Sequence, residues 1–508
     1  MKSEQIALTV DLDGTLLRTD SLWESLFAML RNAPGQMVTL LPALLCGGRA
    51  GLKAACALYA LPGIPYWPYD PNVLKEIQLA RQAGRPVWLV TAADSRIAEA
   101  VADHLGCFDG VLSTQRGHNL KGEAKVQKLR MLWGEQSFDY IGNSKADMPV
   151  WKIAREAIVV RSHCMNAFCD HASSASTDTS QCSDKFVSLV IQINPHFRCL
   201  NSTQKAHTSR WMAAIRTHQW LKNILIAVPT LLAHKFSIHA FTVTIAAFFC
   251  FSLCASANYL INDLLDLDAD RRHPNKRFRP FAAGQLPLPC GVLAAMGLLG
   301  VSVAGACALS PDFAFALLCY LTLALTYSHV LKKVLIADAL CLGMLYTLRI
   351  IAGAAALGLT ISNWLLAFSF FIFMGLAFVK RLGEMRALQL KITSDKCATE
   401  RHNPSVECLP GRGYRFSDSR IIETIATASG FAALMILALY IESVTALRLY
   451  ATPRVLWGIC IVILYWYCRL LLLTHRGEIN DDPVAFVSKD KVSMLCGCAC
   501  AAFVLLAM

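Results

Sequence analysis

The pattern of apolar and polar positions divides the chain into two parts. Up to residue 161, short runs rich in β-branched residues (IALTV, PVWLV, FDYIG and AIVV) alternate with stretches of helical periodicity. From Trp211 to the end, long apolar segments dominate instead. The pattern therefore predicts a multi-domain chain. A soluble Rossmann-like α/β domain should occupy residues 1–161, and an all-α membrane domain should occupy residues 208–508.

Nine apolar stretches in the second part are long enough for membrane helices, since about 20 helical residues match the thickness of a bilayer core. The first of them contains Pro229 and has the weakest pattern. The predicted helices lie near residues 217–235, 240–261, 288–309, 312–331, 335–358, 363–381, 421–442, 453–473 and 492–508.

The basic residues of the connecting loops predict how these helices are oriented. Nineteen Lys and Arg residues follow the even-numbered helices and three follow the odd-numbered ones. Lys and Arg accumulate in cytoplasmic loops, so the N-terminus is expected in the cytoplasm and the C-terminus on the opposite side. The chain also opens without a signal-peptide pattern, because its first apolar run leads straight into acidic residues.

Two further segments have their own character. Residues 162–207 are rich in Ser, Thr, Cys, His and Asn and are predicted to be a linker. Their Cys and His residues do not have the spacing of a standard zinc site. Residues 22–61 are largely apolar and predict a helical cap that can lie on the membrane surface, with runs too short to cross it.

Composition agrees with a membrane protein. Hydrophobic residues make up 55% of the chain, charged residues 17%, and the mean hydropathy is +0.43. The net charge of +12 is distributed between apolar runs, which indicates membrane topology and phosphate binding and argues against nucleic acid. The 20 cysteines are scattered, many in apolar segments, so no disulfide framework is expected.

The first candidate site follows the first predicted strand, where Asp11 and Asp13 stand two residues apart. This spacing directs both carboxylates to the same side, at the edge where α/β sheets expose ligands. One carboxylate can attack phosphorus while the other handles the proton, and both are suitable ligands for Mg²⁺. Gly14 permits the tight turn that must follow.

The motif DLDGT and three later motifs resemble the haloacid dehalogenase superfamily over about 160 residues. The later motifs are Thr91 at the end of a strand, Lys121 and Lys125, and the sequence GNSKAD at residues 142–147. The resemblance implies that Asp11 is the nucleophile, Asp13 the acid/base, Thr91 and Lys125 phosphate ligands, and Asp147 a metal ligand beside Asp11 and Asp13.

One position of this domain departs from the family pattern. Many members of the superfamily have Asp where this chain has Asn143. Asn143 remains a candidate substrate-binding residue, and its amide oxygen can still coordinate metal, but it brings no charge, so metal affinity can fall. A domain that keeps the fold without turnover is therefore the alternative interpretation.

The second candidate site lies at the end of the second predicted membrane helix, where Asn262 precedes a series of aspartates. Asp263, Asp266 and Asp270 are spaced i, i+3 and i+7, which predicts three carboxylates on one helical face. Unpaired, they would repel one another and oppose insertion. Mg²⁺ with a diphosphate is the natural counterpart.

A run of basic residues follows these aspartates directly. Arginine forks suit phosphate oxygens, which favours a substrate-binding function over a simple excess of cytoplasmic charge. The run consists of Arg271, Arg272, Lys276, Arg277 and Arg279.

The sequence NDxxDxxxD with its basic loop resembles the UbiA superfamily of intramembrane prenyltransferases, over about 300 residues and nine helices. HQWLKN, with Lys222 and Asn223, resembles the family's entry to the first helix. The resemblance implies a catalytic Mg²⁺ site at Asp263, Asp266 and Asp270, with Asn262 and the basic loop binding substrate.

The family's second aspartate-rich motif is not evident. In its place the sixth predicted helix ends with Lys380, Arg381 and Glu384, and the fifth contains Asp338 and Arg349 within an apolar stretch. An arginine inside the membrane is costly and is therefore a candidate for substrate binding. The alternative is a structural ion pair of Arg349 with Asp338 or with another helix.

Four segments resemble the decaprenyl-phosphate phosphoribosyltransferase branch: NDLLDLDADRRHPNKRFRPFAAG, YSHVLKK with Lys332, LRIIAGA and KRLGE. This implies a bacterial inner-membrane enzyme that joins polyprenyl phosphate to phosphoribosyl diphosphate and releases diphosphate. A fused phosphatase then removes the sugar 5-phosphate. The alternatives are transfer of an isoprenyl chain to an aromatic or other lipophilic acceptor, and a transporter or scaffold with relict motifs.

Overall fold

The computed structural model describes residues 6–115, 120–161, 185–201, 207–396, 412–479 and 483–508. The chain forms two compact units. The first comprises Met1–Thr217 together with Tyr259–Met296, and the second comprises His218–Asn258 together with Gly297–Met508. The first unit therefore contains the whole soluble part. It also contains residues 263–270 of the membrane part, called the aspartate-rich segment below.

The soluble part is built on a single parallel sheet with the strand order β3-β2-β1-β4-β5-β6. The strands are β1 Ala7–Val10, β2 Val87–Asp94, β3 Gly110–Thr114, β4 Phe138–Gly142, β5 Glu156–Arg161 and β6 Phe197–Asn201. The four apolar runs of the sequence form β1, β2, β4 and β5, which confirms the predicted α/β class.

Both faces of this sheet are buried. Leu8 and Val10 of β1 belong to one apolar cluster, whereas Ala7 belongs to the cluster on the other side with Tyr140 and Trp151. Helices must cover both faces of a parallel sheet, because every crossover connection returns across one of them. The carboxyl ends of β1, β2 and β4 consequently meet at one edge.

Seven α-helices of the soluble part lie between successive strands of the sheet in the chain, and α8 follows β6. Asp20 caps the first of them by accepting hydrogen bonds from the backbone N–H groups of Leu22 and Trp23. The helices are α1 Ser21–Asn32, α2 Leu40–Ala60, α3 Pro71–Gln82, α4 Ser95–Leu105, α5 Glu123–Trp133, α6 Met148–Ile153, α7 Lys185–Ile193 and α8 His207–Ala214.

Part of the predicted linker belongs to the sheet. β6 pairs in parallel with β5, in a register that runs from Ala157 opposite Phe197 to Arg161 opposite Asn201. The linker prediction is therefore wrong for residues 185–201. It failed because the short, mixed run FRCLN becomes a strand only through pairing with the edge of β5. Residues 162–184 and 202–206, with the Cys and His residues considered for zinc, lie outside the described residues.

The helical cap contains a longer apolar run than predicted. A 3-10 helix, Pro34–Thr39, continues into α2, and together they make 27 residues that include an 18-residue window of mean hydropathy 1.2. This run is one of eight helices in the described parts that are long and apolar enough to cross a membrane. The prediction that its runs are too short is therefore wrong as to length. At Gly48, however, the backbone leaves the helical conformation with φ 54°.

The remaining helices follow after residue 217. Two short ones precede the long apolar helices: the 3-10 helix Thr217–Ala227 and α9 Val228–Leu232. The others are α10 Ile238–Leu265, α11 Leu267–Arg272, α12 Leu288–Leu309, α13 Pro311–His329, α14 Ala337–Ala356, α15 Asn363–Lys396, α16 Ser419–Ile441, α17 Val444–Leu449, α18 Trp457–His475, α19 Pro483–Val487 and α20 Lys491–Ala507.

Seven of the nine predicted membrane helices coincide with candidate spans, namely α10, α12, α13, α14, α15, α16 and α18. The first and the last do not. At the first, the chain forms the 3-10 helix and α9 instead, because Pro229 lacks an amide hydrogen and the stretch carries polar residues. The last is α20, whose 17 residues are short for a span.

Small residues let the helices of the second unit approach closely. A Cβ added to Gly353 of α14 would lie 2.0 Å from the carbonyl oxygen of Ile226, so the 3-10 helix packs directly on α14. Gly430 of α16 is similarly close to the ring of Tyr467 from α18. Such contacts are typical of helix packing in membranes.

Candidate active sites

The first candidate site lies at the carboxyl end of β1. The backbone N–H of Asp11 donates to the carbonyl of Ile141 in β4 (3.0 Å), which fixes the start of the loop against the neighbouring strand. Gly14 has φ 73°, a conformation that favours glycine, and its N–H donates to the carbonyl of Thr19 (3.1 Å). This turn holds Asp11 and Asp13 at the sheet edge, as the sequence predicts.

Lys125 connects the aspartates. Its Nζ donates to Oδ1 of Asp11 (3.0 Å) and to the hydroxyl of Tyr140 (2.8 Å). That hydroxyl in turn donates to Oδ1 of Asp147 (2.8 Å). The structure thus brings together three of the predicted residues. Tyr140 was missed, because as an aromatic residue within a buried strand it gives no signal beyond core packing.

Asp147 is held by its own loop. Its Oδ2 accepts hydrogen bonds from the backbone N–H groups of Asn143 (3.2 Å) and Ser144 (3.0 Å) and from the Ser144 hydroxyl (2.9 Å). These contacts orient the loop after β4. The role of Asp147 as a metal ligand stays a prediction.

The side chain of Asn143 lies against the loop that carries Asp11 and Asp13, called the aspartate loop below. A Cβ added to Gly14 of this loop would be 2.1 Å from Nδ2 of Asn143. The carboxylates of Asp11 and Asp147 both lie within 4 Å of the Lys125 ammonium, at 3.0 and 3.9 Å, and carboxylate and amide oxygens are donors that fit Mg²⁺. Within the described residues, no group of three or more Asp, Glu, His or Cys side chains is arranged to hold a metal. The roles of Asp11 and Asp13 as metal ligands therefore stay predictions as well.

Burial changes the acidity of both carboxyl groups. It raises the pKa of Asp11 to about 6, although Lys125 opposes the shift. It raises the pKa of Asp13 to about 7, and repulsion from Asp20 adds to the effect. A carboxyl group with a pKa near 7 can hold and release a proton at neutral pH, which suits the acid/base role.

Thr91 lies on β2 and is fully buried. Its Oγ1 accepts a hydrogen bond from the backbone N–H of Ala93 (3.0 Å). The strand that carries it is adjacent to β1, so the residue belongs to the same part of the sheet. Its predicted contact with phosphate stays a prediction.

The second candidate site lies where α10 ends. Asp263 and Asp270 are both buried, and both accept hydrogen bonds from Nη1 of Arg279, at 3.2 Å and 2.6 Å. Arg216 also pairs with Asp263, and its guanidinium lies 4.8 Å from the ring centre of Tyr259. The structure therefore joins two of the three predicted metal ligands through a predicted phosphate ligand. Arg216 was missed because it precedes the motif by almost fifty residues.

Asp266 does not share this arrangement. It lies at the junction between α10 and α11, with φ −96° and ψ 13°, and pairs with Arg31 of α1. The prediction that all three carboxylates share one helical face is corrected for Asp266, because the helix is interrupted at this residue. Asn262, one turn earlier, contributes its carbonyl to the N–H of Asp266 (2.9 Å).

The basic run after the aspartates divides into three groups. Arg271 is buried and donates to both carboxylate oxygens of Glu24 (2.9 and 2.6 Å), so it does not face an open substrate site. Lys276 and Arg277 are exposed on a short 3-10 helix. Arg279 binds the aspartates. Arg272 is exposed as well, and its guanidinium lies 4.9 Å from the ring centre of Tyr66. The three exposed residues and Arg279 are thus the ones left for substrate.

Arg349 lies in the second unit and is surrounded by neutral groups. Its Nε donates to Oδ1 of Asn223 (2.9 Å) and its Nη2 to the hydroxyl of Tyr320 (3.2 Å). The rings of Phe251, Tyr320 and Tyr346 lie 4.9–5.5 Å from the guanidinium carbon. Lys222 lies over the same Tyr346 ring at 5.8 Å. Three predicted substrate ligands, Lys222, Asn223 and Arg349, therefore form one cluster.

Asp338 has other partners, so an ion pair between Asp338 and Arg349 is excluded. Oδ2 of Asp338 accepts from Nε of Arg381 (2.7 Å), and Oδ1 accepts from the hydroxyl of Tyr414 (2.5 Å). Arg381 also donates to Glu384 (2.6 Å). Asp338 and Arg381 are fully buried. This network satisfies its own charges, and the predicted roles of Arg381, Glu384, Lys332 and Lys380 in substrate binding stay predictions.

Comparison with known proteins assigns both parts of the chain. Residues 223–489 match the UbiA prenyltransferase family, and residues 8–152 match the haloacid dehalogenase-like hydrolases. The chain belongs to the UbiA prenyltransferase family. It is an integral membrane enzyme of the transferase class, with a fused hydrolase-like domain.

Three relatives show the range of this similarity. The uncharacterized protein y4nM of Sinorhizobium fredii is 36% identical over 99% of this chain and 91% of its own length. The nodulation protein NoeC of Azorhizobium caulinodans is 34% identical over 56% of this chain and 88% of its own. The decaprenyl-phosphate phosphoribosyltransferase of Mycobacterium tuberculosis is 37% identical over 34% of this chain and 59% of its own.

Proposed function

We propose that the chain transfers the phosphoribosyl group of phosphoribosyl diphosphate to a polyprenyl phosphate with release of diphosphate, and that its soluble domain removes the 5-phosphate of the product. The observation that carries the proposal is the pair Asp263 and Asp270, bridged by Arg279 at the end of a membrane helix. Similarity to a decaprenyl-phosphate phosphoribosyltransferase supports the choice of substrates.

The transferase site combines the groups that this reaction needs. Mg²⁺, when bound, would neutralise diphosphate and make it a better leaving group. Asp263 and Asp270 would hold it, and Arg279, released from the carboxylates, would bind phosphate oxygens. Lys276 and Arg277 are exposed nearby in sequence and can attract a substrate of high negative charge.

The soluble site is arranged for hydrolysis of a phosphate ester. Asp11 would attack phosphorus, Asp13 would donate a proton to the leaving sugar oxygen, and Lys125 would bind a phosphate oxygen while orienting Asp11. Asp11, Asp13 and Asp147 would hold Mg²⁺, to which the amide oxygen of Asn143 can contribute. A product still attached to the membrane meets a tethered phosphatase at high effective concentration, which favours consecutive reactions.

We further propose that both sites face the cytoplasm at the bacterial inner membrane. The soluble domain and the loop after α10 lie on the same side of the membrane, since Glu24 and Arg271 form a buried ion pair. That loop carries much of the positive charge. If α10 spans the membrane, its N-terminal end lies on the opposite side from the soluble domain. Residues 207–237 would then cross the membrane once, although they form only short helices. Nine crossings result if α20 also spans, and reporters fused at Met1 and after Met508 should then be found on opposite sides.

Purified protein supplied with Mg²⁺, polyprenyl phosphate and phosphoribosyl diphosphate tests the transferase. Mass spectrometry should detect a phosphoribosylated lipid that requires all three components. If an isoprenyl diphosphate and an aromatic acceptor react while these substrates do not, the conventional prenyltransferase reaction replaces the proposal. If neither pair reacts, a transporter or scaffold function gains support.

A further inference from the structure

We propose that Glu24 of the soluble domain is a positioning residue of the transferase site. It accepts two hydrogen bonds from Arg271, at 2.9 and 2.6 Å, and each side chain is 3% exposed. A bidentate pair of this kind fixes the orientation of both partners. Since Arg271 follows Asp270 directly, the ion pair of Glu24 with Arg271 fixes the position of Asp270 on α11.

Further hydrogen bonds make this contact rigid on both sides. The Thr19 hydroxyl donates to Oε1 of Glu24 (2.6 Å), and Nε of Arg271 donates to the carbonyl of Ala282 (3.0 Å). Thr19 belongs to the aspartate loop, because its carbonyl accepts from Gly14 (3.1 Å). The soluble site and the aspartate-rich segment are therefore joined through a few buried groups.

A second contact acts on the same segment. Arg31, on the next turns of α1, pairs with Asp266 and donates to the carbonyl of Leu265 (3.0 Å). One helix of the soluble domain thus holds the segment on both sides of the junction between α10 and α11. The activity test of this inference rests on the proposed function, whereas the hydrogen-exchange test does not.

The test compares Glu24→Gln with Glu76→Gln. Glu76 also binds an arginine bidentately in the soluble domain, through Arg198 (2.8 and 2.9 Å), and in the described parts of the chain it forms no ion pair with the aspartate-rich segment. Hydrogen exchange of the peptide containing residues 263–284 should increase in Glu24→Gln and remain at the wild-type rate in Glu76→Gln. Equal exchange in both variants would overturn the inference, whether or not the wild type shows activity.

The second measurement is the rate of transfer and its dependence on Mg²⁺. Glu24→Gln should lower transfer about 10- to 100-fold and raise the Mg²⁺ concentration for half-maximal rate, as supporting residues of metal ligands do. Glu76→Gln should change neither. If Glu24→Gln fails to accumulate, Arg31→Gln at a more exposed position should still increase exchange of the same peptide, and unchanged exchange there would overturn the inference. A wild type without transfer activity would contradict the proposed function alone.

We also infer that the first half of the long apolar run in the cap, residues 34–47, lies in the surface of the bilayer. Val38, Leu41 and Leu45 are 76%, 64% and 77% exposed, and no charged residue occurs between Pro34 and Gly48. Exposing an apolar patch of this kind to water is unfavourable. A lipid surface is the partner that its chemistry fits.

The contacts at the two ends of the run indicate that it does not span the bilayer. Arg31, just before it, binds the last residue of membrane helix α10, and Gly63, just after it, packs on Asp268, since a Cβ there would lie 2.6 Å from Oδ1. Both ends therefore lie on the same side of the bilayer. The turn at Gly48 allows the first half to dip into the surface and the second half to return.

Photoreactive phospholipid in vesicles containing the full chain tests this surface. Lipid adducts should form on residues 34–47 and be absent from α5, which also exposes apolar side chains, with Met131 at 81%. Leu45→Glu should reduce the adducts on this run, whereas Met131→Glu should leave them unchanged. The inference is overturned if the run acquires no more adducts than α5 does.

Discussion

The two acidic sites of this chain are assembled in different ways. At the soluble site, Asp11 and Asp13 follow one strand, and Lys125 is the cation bonded to Asp11. At the membrane site, Asp263, Asp266 and Asp270 are paired with Arg216, Arg31 and Arg279, which come from three separate segments. Both sites take these acids from one short stretch of chain, but the soluble site pairs Asp11 with a lysine, whereas each of the three aspartates at the membrane site is paired with an arginine.

This difference has a consequence for metal binding. Within the described residues, no arginine pairs with Asp11 or Asp13, so a metal cation can bind there without displacing an arginine. Carboxylates already paired with arginine must exchange that partner for Mg²⁺. The arginines released can then bind the phosphate that accompanies the metal. We therefore expect metal and diphosphate to bind the membrane site together.

The largest predicted effect is on the bridged pair. Asp263→Asn and Asp270→Asn should each lower transfer on the order of 10³-fold, because the loss of a metal ligand removes several kcal/mol of transition-state stabilisation. Asp312→Asn, at an exposed position in the first turn of α13, should have no effect. Near-normal transfer by both variants at limiting Mg²⁺ would contradict the proposed metal site.

The next effect concerns pH and the soluble site. Asp11 must be ionised to attack, so the rate should rise with pH through about 6; Asp13 must be protonated to donate, so the rate should fall above about 7. The profile of kcat/KM should therefore be bell-shaped. Asp13→Asn should lose the upper limb, with a rate lowered on the order of 10²–10⁴-fold. A flat profile from pH 5 to 8 would argue against these roles.

The smallest effect should come from Arg349. Lysine cannot keep the contacts of the guanidinium with Asn223 and Tyr320 at once, so Arg349→Lys should destabilise the membrane domain by about 1–2 kcal/mol. Thermal unfolding in detergent measures this change, and Lys489→Arg provides a control outside the cluster. A loss of transfer without any loss of stability would instead assign Arg349 to substrate binding.

The residues that could be predicted are those whose signal is local. A strand followed by DLDGT places Asp11 and Asp13 without further information, and the long apolar helices follow from composition alone. Glu24, Arg31 and Arg216 could not be found in this way. On a helix or in a loop they are ordinary charged residues, and only tertiary packing brings them to the aspartates.

The errors have the same origin. β6 exists because β5 offers an edge for pairing, and nothing in the run FRCLN indicates this on its own. Asp266 has the spacing of a metal ligand, but the interruption of the helix turns it towards Arg31. In each case packing between distant segments overrides a local pattern.

The most direct test of consecutive action compares the lipid products of the wild type and of Asp11→Asn, supplied with Mg²⁺, polyprenyl phosphate and phosphoribosyl diphosphate. Asp103→Asn, exposed in the same domain, serves as the control. Without the nucleophile, the variant should accumulate the 5-phosphorylated lipid at an unchanged rate of transfer, whereas the wild type and the control should yield the dephosphorylated lipid. Identical product mixtures from the wild type and Asp11→Asn would contradict consecutive action of the two sites.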